Sequence, residues 1–177
     1  MTPQGVRQQL KDVYARLIFT NLSVKQFYPK ERILVGGGVS IGSLPLGSIS
    51  LRDISYEAIY SEIEGNDGYH IKLPDGGLLI FQYTFDMAGS LIKHRLCYFP
   101  SFELPTVDEA PHLYENDELY GDVVLKTLVR FPIRFDYSPG SHIDVEHPKT
   151  HLTLGQYENC RIPVDAAVSP NAFVMFM

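Results

Sequence analysis

Between residues 3 and 19, apolar Val6, Leu10, Val13, Tyr14, Leu17 and Ile18 recur at helical spacing, with Gln8, Gln9, Lys11, Asp12 and Arg16 between them. That period predicts an amphipathic helix. Thr2 is placed to accept a hydrogen bond from the first free backbone amides, and Pro3 suits the first helical position because it has no N–H to leave unpaired. Leu10, Tyr14, Leu17 and Ile18 are the expected burial face against a sheet. After Asn21 the pattern changes to short β-prone runs separated by Gly, Asn, Asp and Pro clusters. Residues 32–35, 55–64, 69–73, 78–85, 91–99, 123–137, 151–154 and 160–164 read as strands. Gly65-Asn66-Asp67-Gly68 and Pro74-Asp75-Gly76-Gly77 read as the turns of two successive hairpins.

Smaller signals refine this picture. Gly36-Gly37-Gly38 is read as a turn, because it lacks the Gly-Lys-Ser/Thr ending of a phosphate-cradling loop. Pro132 cannot donate to a ladder and marks a bulge, an edge or a break. On either side of it the alternation puts Arg134 and Asp136 on one face and Ile133, Phe135 and Tyr137 on the other. In the run 91–99, Leu91, Lys93, Arg95 and Cys97 alternate against Ile92, His94, Leu96 and Tyr98, so one side of that strand carries cations. Ser169-Pro170 starts a short helix with Phe173 and Phe176 on one apolar face. Two turns are marginal alone, so this helix is expected either to dock tightly or to continue into further helix beyond Met177. The expectation is an α+β fold, one domain over residues 1–177: a mainly antiparallel, meandering sheet with the N-terminal helix on one face and a short C-terminal helix.

Composition narrows the class. A chain of 177 residues, 45% hydrophobic and 20% charged, can bury a core without disulfides. Its formal net charge of −6 argues against a broad basic footprint, so any nucleic-acid contact has to be local. Much of the acidity lies in Glu103, Asp108, Glu109, Glu115, Asp117, Glu118 and Asp122, a solvated excursion long enough to serve as a lid or a partner-binding loop. Cys97 and Cys160, with no secretory leader, point to reduced thiols and a cytoplasmic setting. No apolar run approaches the roughly 20 residues of a membrane span, and no membrane partner is expected.

The densest chemistry lies near the C-terminus. Of six histidines, His142, His147 and His151 fall in one segment with Arg134, Asp136 and Lys149, and Arg161 follows. Two histidines with an arginine form an acid, a base and an anion clamp near neutral pH. Cleavage of a phosphodiester at a ribose 2′-hydroxyl needs those roles and no metal or cofactor. On this reading His147 and His151 exchange protons, Arg134 and Arg161 hold phosphate, and Asp136 orients a histidine or Arg134. Lys149, Arg95 and His142 are further binding candidates. Two other readings stand beside it. The histidines are hydrogen-bonded turn residues with Arg134 and Asp136 as a same-face ion pair, or His147, His151 and Asp144 or Asp136 are metal ligands. Pro148 disfavours helix at His147, so the helical His-Glu-x-x-His motif is not reproduced. Cys160, a lone cysteine beside Arg161, reads as a packing residue.

His147-Pro148-Lys149-Thr150-His151, Leu154-Gly155, Cys160-Arg161-Ile162-Pro163-Val164 and Ser169-Pro170-x-x-Phe173 resemble the signature of the bacterial domain of unknown function 2290. More distantly, the order Arg134-x-Asp136, His147-Pro148, His151 is similar to the clustered arginine, aspartate and histidines of small toxin ribonucleases, whose adjacent histidine pairs are not reproduced here. That likeness implies an RNA or other nucleic-acid substrate and a role in prokaryotic phage defence or a toxin–antitoxin pair. The alternative expectation is a non-catalytic subunit that binds a protein partner through the acidic excursion and the terminal helix.

Overall fold

In the computed structural model, residues 1–44, 54–102, 111, 131–144, 146–156 and 160–177 are described. The acidic excursion and the 123–130 part of the expected 123–137 strand lie outside them.

The N-terminal helix α1, Pro3–Phe19, forms as its period predicts, with the Thr2 side chain accepting from the Gly5 amide. Val6, Leu10, Val13, Tyr14 and Leu17 are buried, whereas Ile18 is half exposed. The expected face was therefore right except at Ile18, which sits on the far flank of the last turn. After α1 come β1 (Lys25–Gln26), β2 (Glu31–Ile33) and β3 (Val39–Ile41), then helix α2 (Tyr56–Gly65). The remaining strands are β4 (Ile71–Lys72), β5 (Leu78–Phe85), β6 (Leu91–Phe99), β7 (Ile133–Tyr137), β8 (Thr150–Leu154) and β9 (Ile162–Pro163). A short helix, α3 (Pro170–Phe176), follows.

Helix α2 corrects the strand expected over 55–64. Ser55 caps it by accepting from the Ala58 amide, and Ile59, Tyr60 and Ile63 form its buried side. The aromatic and branched residues that suggested β structure are the contact face of a helix, whose spacing and cap are helical signals of their own. Gly65-Asn66-Asp67-Gly68 is then a helix end, with Asp67 at φ 51 and the Gly68 amide donating to the Ile63 carbonyl. The second turn is a true hairpin: Gly76, at φ 82, donates to Leu73, and Asp75 accepts from the Gly77 amide.

Among the described residues the strands form one antiparallel sheet in the order β1-β4-β5-β6-β7-β8-β9, and the β2–β3 hairpin pairs through β3 with the end of β5. Alternation divides the sheet into two faces. One carries Leu79, Phe81, Tyr83, Leu96, Ile133 and Phe135 against α1 and Phe173 of α3. On the other, Leu78, Ile80, Cys97 and Phe99 pack under Ile59, Tyr60 and Ile63 of α2. The rest of that second face, beyond α2, is polar. Among the described residues no helix is long and apolar enough to cross a membrane.

Candidate functional site

The polar part of the second face is set by register. Arg95 on β6 lies opposite Asp136 on β7, and Asp136 lies opposite His151 on β8. One step along, Cys97, Arg134 and Thr153 are aligned across the same strands. Antiparallel neighbours thus bring together residues up to 56 positions apart, and each side chain is aimed by the pleat of its strand.

Asp136 is the hub. Arg134 Nε donates to its Oδ2 at 2.5 Å, Arg95 Nε donates to its Oδ1 at 2.8 Å, and His151 Nε2 lies 3.8 Å from Oδ2. Arg134, Asp136 and His151 are all buried. Burial alone would raise the Asp136 carboxyl, but the Arg134 and Arg95 guanidinium groups outweigh it and hold the group below its ordinary value. Burial lowers His151, and the His147 ring and Arg161 guanidinium push the same way against the Pro148 carbonyl and Asp136.

His151 also connects outward. Its Nδ1 lies 3.2 Å from the Pro148 carbonyl oxygen, which makes that nitrogen the protonated one in the neutral ring. His147 stands edge-on to it, ring centroids 4.9 Å apart at 83°. His147 is half-buried, and its Nδ1 is buried with no hydrogen-bond partner among the described residues. The main-chain pairing of Ile143 with His147 closes the turn that presents this ring.

The expected site residues therefore separate. Arg134, Asp136, Arg95, His151 and His147 form one contiguous chain from the sheet to its rim. Arg161 is at the same rim, with Nη1 donating to the Glu146 carbonyl at 3.4 Å. His142 belongs to the turn, its Nδ1 2.9 Å from the His147 carbonyl oxygen and its Nε2 3.0 Å from Asp144. Lys149 is exposed, and its carbonyl accepts from the Ser138 amide. The two rings touch, so no phosphate fits between them, and His151 is too buried to meet a substrate directly. Among the described residues, no three His, Cys, Asp or Glu side chains are grouped to hold a metal. Gln82, Thr84 and Lys93, polar neighbours on the same face, were not singled out as candidates, although the alternation in 91–99 marks Lys93.

Residues 22–177 match a family model described as an uncharacterized conserved protein (DUF2290). No curated protein and no solved structure matches the chain.

Proposed function

The chain belongs to the DUF2290 family, whose description names no activity, and we propose a nucleic-acid-directed, ribonuclease-like function on the geometry of its histidine pair, in a prokaryotic defence or toxin–antitoxin system on the likeness of Arg134-x-Asp136, His147-Pro148 and His151 to toxin ribonucleases. The observation that carries it is the line Asp136, His151, His147, which runs from a buried carboxylate to a half-buried imidazole. His147 is the group that meets substrate: it takes the ribose 2′-hydroxyl proton as that oxygen attacks the adjacent phosphorus, forming a 2′,3′-cyclic phosphate, and the departing 5′-oxygen takes its proton from solvent water. His151 is a positioning residue: the Pro148 carbonyl fixes its ring, which packs edge-on against His147, and Arg134 and Arg95 fix the Asp136 carboxylate beneath it. Arg161 and Lys149 at the rim supply cationic donors for phosphate oxygens. The touching rings give the two histidines unequal roles, unlike the paired acid and base expected from the sequence.

The test uses a fluorogenic RNA in chelator. His147→Ala is expected to lose about 10²- to 10⁴-fold of the cleavage rate with an unchanged melting temperature. An active His147→Ala variant, or a parent without cleavage, sinks the proposal. A second reading, a non-catalytic subunit that binds a protein partner, is favoured by the burial of Arg134, Asp136 and His151, which suits an ionic lock beneath the surface. On that reading His147→Ala weakens partner association and changes no RNA.

A further inference from the structure

The same polar face holds a cavity that the histidine site does not use. Its volume is about 140 Å³, and Ser40, Ser43, Gln82, Thr84, Lys93, His94 and Arg95 line it, His94 with its ring on the opposite face, where Nε2 accepts from the Val168 amide. Register explains the grouping: Ser40, Thr84 and Lys93 are aligned across β3, β5 and β6, and Gln82 is aligned with Arg95 one step along. Farther along the same strands the face is apolar and covered by α2, so the polar lining is a local change of chemistry.

The lining is rich in donors, two of them cationic. An ammonium, a guanidinium, an amide and three hydroxyls converge, and among the described residues no carboxylate lines the cavity. Such a set complements an oxyanion with several acceptor oxygens. At about 30 Å³ per water, the volume corresponds to between four and five waters, enough for a phosphate group but too small for a base with its ribose. We propose that this cavity binds a phosphate group, with exposed Lys93 supplying charge and Thr84, Ser40, Ser43 and Gln82 fixing orientation. Arg95, held by Asp136, is the wall shared with the histidine site. The proposal rests on the cavity's own geometry and stands whether or not His147 cleaves anything.

The experiment is calorimetric titration of the full chain with two probes, inorganic phosphate and a short oligouridylate. Saturable binding is expected, weakened about tenfold or more by Lys93→Gln and also by the near-isosteric Thr84→Val, and unchanged by Lys11→Gln on the distant α1 surface. Binding of both probes identifies a site open to free phosphate. Binding of the oligouridylate alone, still dependent on Lys93, identifies a site for a backbone phosphodiester. Either result supports the phosphate assignment. No saturable binding of either probe, or equal affinity of parent, Lys93→Gln and Thr84→Val, overturns it.

Discussion

Asp136 is surrounded by cationic donors at a depth where an isolated carboxylate would not stay ionised. The Arg134 and Arg95 guanidinium groups keep it charged, and in return it accepts a hydrogen bond from each. Removing one partner of such a group typically costs about 3–5 kcal/mol, because a buried charge is left behind. The same environment acts oppositely on Cys97, two residues along β6 from Arg95: burial pushes its thiol up to about 12, and the nearby arginines only partly offset this. A thiol at that value is protonated and unreactive at neutral pH. Cys160 is free and only half-buried. Thiol titration at pH 7.5 is therefore expected to find one fast-reacting group in the native protein and two in denaturant. Two fast groups in the native state would contradict the burial of Cys97. At this scale the sequence was partly legible. Arg134 and Asp136 share a face by simple alternation, but Arg95 joins them only through the β6–β7 register, which spans a long connection and leaves no local trace.

Helices α1 and α3 are clamped to the same sheet face through one another. Arg16 on α1 donates to the Asn171 side chain of α3 at 3.1 Å, and Phe173 packs edge-on to Phe81 and Phe135 with centroids 5.6 and 6.1 Å away. A seven-residue helix has little stability of its own, and Phe173, fully buried, supplies what its length does not. Leu10→Ala and Phe173→Ala are each expected to cost about 2–5 kcal/mol, while Ile18→Ala stays within roughly 0.5 kcal/mol. Urea denaturation measures all three, and a Phe173→Ala midpoint equal to the parent's would mean that α3 is not anchored by this ring. The helical period of α1, the cap at Ser169 and the two long strands were readable because each signal is local. Helix α2 was misread although Tyr56, Ile59, Tyr60 and Ile63 follow a helical period. Its Tyr and Ile residues favour strands, whereas the Ser55 cap, Glu57, Ala58, Glu62 and Glu64 favour a helix, and packing on Leu78, Ile80, Cys97 and Phe99 agrees with the second set.

The whole molecule is a sheet with one face closed by helices and the other half apolar, half polar, and two buried histidines stitch the closed side together. His70 Nδ1 accepts from the Phe81 amide at 3.0 Å, and the His70 carbonyl accepts from the Tyr14 hydroxyl at 3.1 Å, joining β4, β5 and α1. His94 Nε2 accepts from the Val168 amide at 2.9 Å, and Tyr83 donates to the Val168 carbonyl at 3.1 Å, so the chain entering α3 is gripped at both main-chain groups. An accepting nitrogen carries no proton, and burial lowers both histidines from 6.5 to about 4. Between those values the unfolded chain binds more protons than the folded one. The stability these residues provide is therefore complete above pH 6.5 and is lost as pH falls towards 4, by about 3 kcal/mol for each. Together that approaches the total stability of many domains, roughly 5–15 kcal/mol. His151, also lowered, acts in the same sense, whereas Asp136, depressed from 3.8, begins to lose its contribution only below that value. Acid unfolding should thus begin well above the carboxylate range. His94→Gln keeps an acceptor and removes the titration, so urea midpoints at pH 7 and pH 5 should differ less in this variant than in the parent. Equal midpoints at the two pH values in the parent, or the same fall in His94→Gln, would show that His94 does not set the acid limit of the fold.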